Sequence, residues 1–211
     1  MDENAIWSAI DDQRLRLTDL LDQLSDEEWQ TPSLCPGWTV RDVAAHLTMA
    51  QAGIGEILMM MIKIRGDGDH KILESARQRT WPTPKIIASI RGMVGSRRHI
   101  PVVTCRETLI DILVHSQDIA VPLDRRLDLP VDAAAEAGSR CWSTTYFRPL
   151  ERLQGFRLVA TDTDWTVGDG LEVRAPIDAL LLILTGRLVA LPRVTGPGAD
   201  ALSGRLANAA S

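Results

Sequence analysis

Two of the four histidines in the chain, His46 and His115, lie within strongly apolar segments that have helical spacing. Asp111 precedes His115 by four residues, so the two side chains project from one helix face, about 40° apart. An aspartate and a histidine at this spacing can bind one cation together, and His46 on a facing helix would supply a third ligand. The pattern therefore predicts a divalent-metal site formed by His46, Asp111 and His115.

Three protein ligands would leave one or two coordination positions for water or substrate, which is typical of catalytic zinc sites. Two nitrogens and one oxygen suit Zn²⁺, and also Ni²⁺, Fe²⁺ or Mn²⁺. Asp118 could orient an imidazole from outside the site, and Glu107 is an alternative carboxylate ligand. The same residues also allow a simpler interpretation, in which each histidine is a hydrogen-bonded core or surface residue and Asp111 with His115 is an ordinary i,i+4 pair.

Helices must position these side chains, and helical periodicity and capping signals predict them throughout the N-terminal part of the chain. The predicted helices cover residues 4–24, 40–63, 83–98, 104–122 and 130–146. Capping boxes are predicted at Ser25 with Glu28, Thr39 with Asp42, and Thr104 with Glu107. The second of these helices carries His46, and the fourth carries the other two predicted ligands.

The pattern changes after about residue 150. The segment FRLVATDTDWTVGDGLEVRA alternates like strands, with Gly-Asp-Gly as a turn signal, and Pro176 then introduces a buried helix. The Gly-, Ala- and Ser-rich tail is expected to be weakly structured. We therefore predict a mainly α protein, with a helical bundle over residues 1–150 and a small C-terminal α/β domain over residues 151–211.

Composition excludes several classes of protein. The 211 residues are 45% hydrophobic and 24% charged, with a net charge of -5, which is typical of a globular domain that can bury a core. The chain has no basic run that would suit nucleic acid or an anionic membrane. The acidic N-terminus lacks the features of a signal peptide, and no apolar stretch is long enough to span a bilayer, so a cytoplasmic location is expected.

The three cysteines are odd in number and far apart, so a disulfide framework is not expected. The absence of a CxxC pair also excludes a thiolate zinc knuckle or ribbon. Cys35 is not preceded by a histidine or lysine that would activate it. A structural role is therefore predicted for Cys35.

Three segments carry a resemblance to a known family. LCPGWTVRDVAAHL, residues 34–47, resembles the entry to the second helix in the mycothiol-dependent maleylpyruvate isomerase family of actinobacteria. ETLIDILVHSQDIA, residues 107–120, resembles the second metal-binding helix of that family. LLLILTGRLVALPRVTGPGADAL, residues 180–202, resembles its C-terminal domain.

The resemblance implies a DinB-like four-helix bundle with a bound divalent metal, usually zinc, held by two histidines and one carboxylate. Carried onto this chain, these ligands are His46, Asp111 and His115, with aspartate where the best-known member of the family has glutamate. The resemblance further implies mycothiol as a co-substrate, whose thiolate acts on a small electrophile by cis-trans isomerisation or S-transfer. Arg187 would bind a substrate carboxylate, although a surface position at a helix end is equally compatible with its sequence context.

Three functions remain open from the sequence. The first is the metal- and mycothiol-dependent isomerase or transferase, whose partners are a low-molecular-weight thiol and a small-molecule electrophile. The second is a non-catalytic module that uses the bundle to bind a metal, a thiol or a protein. The third is a structural bundle without a metal. A homodimer is compatible with each of them.

Overall fold

The computed structural model describes residues 1–51, 80–100, 103–144 and 152–209. These residues form two compact units, one spanning Asp2–Asp128 and the other Leu129–Ser211 together with Met1. The chain is mainly helical with one small sheet, as the sequence predicts. Every helix in the described part of the chain is too short or too polar to serve as a bilayer-spanning segment.

The first unit is a helical bundle. Its described helices are α1 (Glu3–Leu21), α2 (Asp26–Trp29), α3 (Val40–Leu47), α4 (Thr83–Arg91) and α5 (Cys105–Ala120). Helix α5 packs against α1 and α3, and α4 also packs against both of them. The four longer helices therefore enclose one core, which is the predicted four-helix arrangement.

Capping residues fix where the two helices of the candidate site begin. All three predicted capping boxes are present, including Thr39 with Asp42 at α3 and Thr104 with Glu107 at α5. At α3, the Thr39 hydroxyl accepts a hydrogen bond from the Asp42 amide (3.2 Å), and the Asp42 carboxylate accepts one from the Thr39 amide (3.0 Å). Each such cap stabilises its helix by about 1 kcal/mol.

Apolar stripes on α1 and α5 hold the bundle together. Ile10 and Leu17 on α1 and Leu109 and Leu113 on α5 are fully buried. Burying each of these side chains contributes roughly 1.5–3 kcal/mol before the entropy cost of ordering it. The polar cluster that α5 carries is therefore built on a well-anchored helix.

Two helices of the first unit depart from their predicted bounds or are described only in part. Helix α4 ends at Arg91 rather than near Arg98. Turns follow to Gly95, whose positive φ of 81° a right-handed helix cannot accommodate. Helix α3 runs to Leu47 and is followed by a turn to Gln51. The rest of the helix predicted over residues 40–63 lies outside the described residues.

The second unit combines helices with a three-stranded sheet. Its elements are α6 (Val131–Ser143), β1 (Phe156–Ala160), β2 (Thr166–Gly168), β3 (Leu171–Ala175), α7 (Ile177–Leu184), a 3-10 helix (Leu188–Arg193) and α8 (Ala199–Ala209). The strand order is β2-β1-β3. Strand β1 is antiparallel to β2 and parallel to β3.

The turn between β2 and β3 is the predicted Gly-Asp-Gly signal. Gly170 has a φ of 118°, and a Cβ atom at this position would collide with the carbonyl oxygen of Gly155. Only glycine fits both the backbone conformation and the close approach. The strand pattern and this turn were therefore predicted correctly from the sequence.

Two features of the second unit differ from expectation or refine it. The tail is not weakly structured, because α8 buries Leu202 and Leu206 against β3 and the 3-10 helix. Helix α6 packs against α7 and lies in the second compact unit. The division into domains 1–150 and 151–211 stays a prediction.

Candidate metal centre

The three predicted ligands lie on two helices that pack against each other. His46 is in the last turn of α3, and Asp111 and His115 are one turn apart on α5. The two histidine side chains are each 17% exposed and the Asp111 side chain is 30% exposed. The cluster is therefore partly buried and can be reached from solvent.

The polar atoms of this cluster converge. His46 Nε2 lies 3.2 Å from Asp111 Oδ1, and His115 Nε2 lies 3.5 Å from the same oxygen. The two imidazole rings meet edge-on, with centroids 4.9 Å apart and planes at 79°. The structure thus brings together all three residues that the sequence singled out.

The separations are suitable for ligands of one ion. Two donors bound to zinc at roughly 2.0–2.1 Å in tetrahedral geometry lie about 3.3 Å from each other. The measured 3.2 and 3.5 Å fall on either side of that value, and the three donor atoms lie within 4.8 Å of one another. The donor set of two nitrogens and one oxygen could hold a divalent cation.

Glu107, the alternative carboxylate, is engaged elsewhere. Its Oε2 atom accepts hydrogen bonds from the Thr104 amide (2.8 Å) and the Thr104 hydroxyl (2.6 Å) at the start of α5. The two groups of candidate ligands found in the described part of the chain do not include it. Asp111 is therefore the carboxylate that the geometry favours.

A second polar group lies behind His115. Asp118 is fully buried, and its Oδ2 atom accepts a hydrogen bond of 2.7 Å from His115 Nδ1. The Cys35 thiol donates to the same oxygen at 3.1 Å and lies 3.8 Å from His115 Nδ1. Asp118 thus accepts hydrogen bonds from a predicted ligand and from a residue on a distant loop.

Sequence reasoning missed the place of Cys35. The sequence predicts a structural role for Cys35, because no histidine or lysine precedes it. It does not reveal the contact with Asp118, which lies 83 residues later in the chain. Only the packing of the loop before α3 against α5 brings the two together. The Cys-Pro-Gly-Trp motif itself was the signal that could have pointed to this contact.

His46 is packed by an aromatic ring. Trp38 contacts it edge-on, with ring centroids 5.5 Å apart and planes at 83°. The Nδ1 atom of His46 is buried and has no hydrogen-bond partner among the described residues. Its Nε2 atom, which faces Asp111, is therefore the polar atom of this ring that makes a contact.

The surroundings of His115 favour its protonated form when no metal is bound. Burial alone would lower the pKa of His115, but the hydrogen bond to Asp118, the contact with Cys35 and the charges of Asp111 and Asp118 outweigh burial and raise the pKa to about 10. A proton on His115 would therefore compete with a metal ion for this imidazole.

Asp111 is held in its charged form by its neighbours. Burial would raise its pKa, but the two histidines and the charge of Arg14 lower it below its ordinary value. Arg14 is buried on α1, where its Nη1 atom donates to the carbonyl of Met93 at 3.0 Å and to Asp11 at 3.2 Å. An ionised Asp111 is the form that can bind a cation.

Arg187 lies in the second unit, in the turn after α7. Gly186 takes a φ of 85° there, and the Nη1 atom of Arg187 donates to the Thr185 carbonyl oxygen at 2.6 Å. The side chain is partly buried and precedes the 3-10 helix. Its predicted role in binding a substrate carboxylate stays a prediction.

Comparison with known proteins supports the resemblance seen in the sequence. Residues 10–71 match the family model described as the mycothiol maleylpyruvate isomerase N-terminal domain. The resemblance to the mycothiol-dependent maleylpyruvate isomerase family is thus confirmed. The match includes α3 and His46, and it ends before α5.

Two solved structures share the fold. The chain is similar to a histidine-to-alanine mutant of the mycothiol-dependent maleylpyruvate isomerase, with a TM-score of 0.62 and 13% identity over 94% of each chain. A second structure of the mycothiol-dependent maleylpyruvate isomerase gives a TM-score of 0.53 and 13% identity, covering 89% of this chain and 90% of that one. The DinB-like fold predicted from the sequence is confirmed. None of the curated proteins is similar enough to this chain to count as a match.

Proposed function

We propose that this protein is a divalent-metal-binding, mycothiol-dependent isomerase or S-transferase of the maleylpyruvate isomerase type. The observation that carries the proposal is the convergence of His46 Nε2, Asp111 Oδ1 and His115 Nε2 at separations that suit one tetrahedral ion. The family match over residues 10–71 supports the choice of reaction class.

Among divalent ions, zinc is the one that this donor set suits best. Two imidazoles and one carboxylate are a common catalytic zinc set, and three protein ligands leave a position for an exogenous group. Asp111 is one methylene shorter than glutamate. The 3.2 Å contact between its Oδ1 atom and His46 Nε2 supports a role for this shorter side chain as a ligand.

When bound, the ion would lower the pKa of a coordinated thiol, which is otherwise about 8.5, and so provide a thiolate near neutral pH. The chain's own contribution is to hold the donors at fixed separations and to keep Asp111 ionised. The mycothiol thiolate would then add to an activated double bond, and elimination after rotation would return the trans isomer. Arg187 is proposed to bind a carboxylate of the substrate.

The proposal is tested by metal content and activity together. We expect the purified protein to bind one zinc ion. The variants His46→Ala and His115→Ala should lose it. The control variant His99→Gln should retain it, because His99 lies outside the cluster. A zinc-loaded protein should isomerise maleylpyruvate only when mycothiol is added. Retention of stoichiometric zinc by His46→Ala would show that the ligand assignment is wrong.

A thermal-shift measurement with mycothiol separates the enzyme from a non-catalytic module. Specific binding at a hundredfold excess over the dissociation constant stabilises the protein by about 2.7 kcal/mol. Binding of zinc and mycothiol without turnover of maleylpyruvate would favour the module, or an enzyme with another electrophile. If the protein binds no zinc, the remaining alternative is a structural bundle without a metal.

A further inference from the structure

The loop between α2 and α3 forms a fixed turn at the Cys-Pro-Gly-Trp motif. The Trp38 amide donates to the Cys35 carbonyl at 3.0 Å, Pro36 occupies the second position, and Gly37 has a φ of 77°. This is a type II β-turn, which favours proline and glycine at these two positions. Ser33 closes the loop further, since its hydroxyl donates to the Trp38 carbonyl at 2.9 Å.

This turn is attached to α5 at one residue. The Leu34 amide donates to the Asp118 carbonyl oxygen at 3.2 Å, and the Cys35 thiol donates to the Asp118 carboxylate at 3.1 Å. The Trp38 ring, at the other end of the turn, packs on His46. The turn therefore contacts both helices that carry the predicted ligands.

The distances favour a hydrogen-bonded support over a second metal site formed by Cys35, His115 and Asp118. A nitrogen and an oxygen bound to one zinc ion lie about 3.3 Å apart, and a sulfur and an oxygen about 3.5 Å apart. The observed 2.7 Å between His115 Nδ1 and Asp118, and 3.1 Å between Cys35 Sγ and Asp118, are both shorter. The 2.7 Å contact is that of a charge-assisted hydrogen bond to a carboxylate, and at 3.1 Å the thiol also lies within hydrogen-bonding distance of Asp118.

We propose that Asp118 and Cys35 are positioning residues for His115, and that the Cys-Pro-Gly-Trp turn serves this purpose. Asp118 accepts a hydrogen bond from His115 Nδ1, so the proton of the neutral imidazole stays on Nδ1. The lone pair is then on Nε2, the atom that faces Asp111. The Cys35 thiol occupies a further acceptor site of the buried Asp118 carboxylate and fixes its orientation. This inference rests on the proposed metal-binding function.

The test compares zinc affinity across four variants, measured by competition with a chromophoric chelator. We expect Asp118→Asn to weaken zinc binding roughly ten- to a hundredfold, as loss of an outer hydrogen-bonding partner of a metal ligand does. Cys35→Ala should weaken it less, and Cys35→Ser should restore it because a hydroxyl can donate to Asp118. Cys105→Ala, a buried cysteine at the start of α5, is the matched control and should leave zinc affinity unchanged.

Two spectroscopic readouts distinguish positioning from a merely structural role. In ¹⁵N-histidine-labelled, zinc-loaded protein, the His115 Nδ1 proton should be protected from exchange, and this protection should be reduced in Asp118→Asn while the backbone spectrum is retained. In Co²⁺-loaded protein without added thiol, we expect no sulfur-to-cobalt charge-transfer band. The same band would appear if Cys35 were a ligand, and its observation would overturn the proposal.

The outcomes also separate this inference from the proposed function. If the unaltered protein binds no zinc, both fail. If it binds zinc but Asp118→Asn binds it equally well, the proposed function stands and the positioning role is wrong. Equal weakening in Cys35→Ala and Cys35→Ser would likewise overturn the role of the thiol as a hydrogen-bond donor.

Discussion

His46 Nε2 and Asp111 Oδ1 lie 3.2 Å apart although 65 residues separate them in the chain. The contact joins α3 to α5 at the point where His115 also reaches Asp111. The carboxylate is thus shared by two imidazoles, and the properties of the cluster depend on its charge.

Replacing Asp111 tests that dependence. Asp111→Asn removes the negative charge and leaves two imidazoles, so we expect a large loss of zinc affinity. Asp111→Glu keeps the charge and the carboxylate donor, so it should retain zinc. Competition titrations measure both, and wild-type affinity in Asp111→Asn would contradict the role of the carboxylate.

The raised pKa of His115 predicts a pH-dependent stability for the metal-free protein. The folded-state pKa is about 10 and the ordinary value is 6.5. Stabilisation by the imidazolium is therefore complete below about pH 6.5 and is lost as the pH rises towards 10. Chemical denaturation at several pH values in the presence of a chelator should show the free energy of unfolding falling over this range.

His115→Gln is the control for the pH dependence, since it removes the titrating group. Its free energy of unfolding should change less with pH between 6.5 and 10 than that of the unaltered protein. Parallel curves for the two proteins would show that His115 is not protonated in the folded state at neutral pH.

The same proton must leave when a metal binds. Because His115 binds metal only in its neutral form, zinc binding near pH 7.5 should release about one proton from this residue. Calorimetric titrations in buffers with different ionisation enthalpies measure the number released. Zinc affinity should also rise with pH, and binding without proton release would argue against His115 as a ligand.

Arg187 is expected to act on substrate rather than on metal. Arg187→Ala should raise the KM for a carboxylate substrate and leave zinc content unchanged, whereas Arg187→Lys should recover part of the loss because it retains the charge. Arg157→Ala, on an exposed face of β1, is the matched control. An unchanged KM in Arg187→Ala would contradict the proposed role of this residue.

Two glycines of the second unit should respond to alanine in opposite ways. Gly170→Ala places a Cβ against the Gly155 carbonyl at a positive φ, so it should destabilise the unit by about 1–3 kcal/mol. Gly204 lies within α8 with open space around it, and Gly204→Ala should stabilise by roughly 0.5–1 kcal/mol. Denaturant midpoints for the two variants measure the difference.

The sequence predicted those parts of the structure that local chemistry decides. Thr39 and Asp42 mark the start of α3, because the two residues of this capping box lie within one helical turn of each other. The turn at Gly170 was likewise readable from three adjacent residues. By contrast, α4 ended earlier than predicted, since its apolar periodicity continues past the point where the backbone turns at Gly95.

Long-range packing explains what the sequence did not show. The tail became helix α8 because Leu202 and Leu206 find apolar partners on other elements, which composition does not reveal. The contact between Cys35 and Asp118 depends on how the loop before α3 lies on α5. Spacing on a single helix predicted that Asp111 and His115 share a face, whereas the approach of His46 required the bundle.

The placement of the donor atoms on α3 and α5 has a consequence for how the folded state depends on metal supply. In an unfolded chain His46 is far from Asp111 and His115, so an ion bound as proposed would be held by the native state alone, and its binding free energy would add to that of folding. Zinc scarcity would then weaken the fold as well as remove the proposed activity, and the larger unfolded fraction would be open to proteolysis.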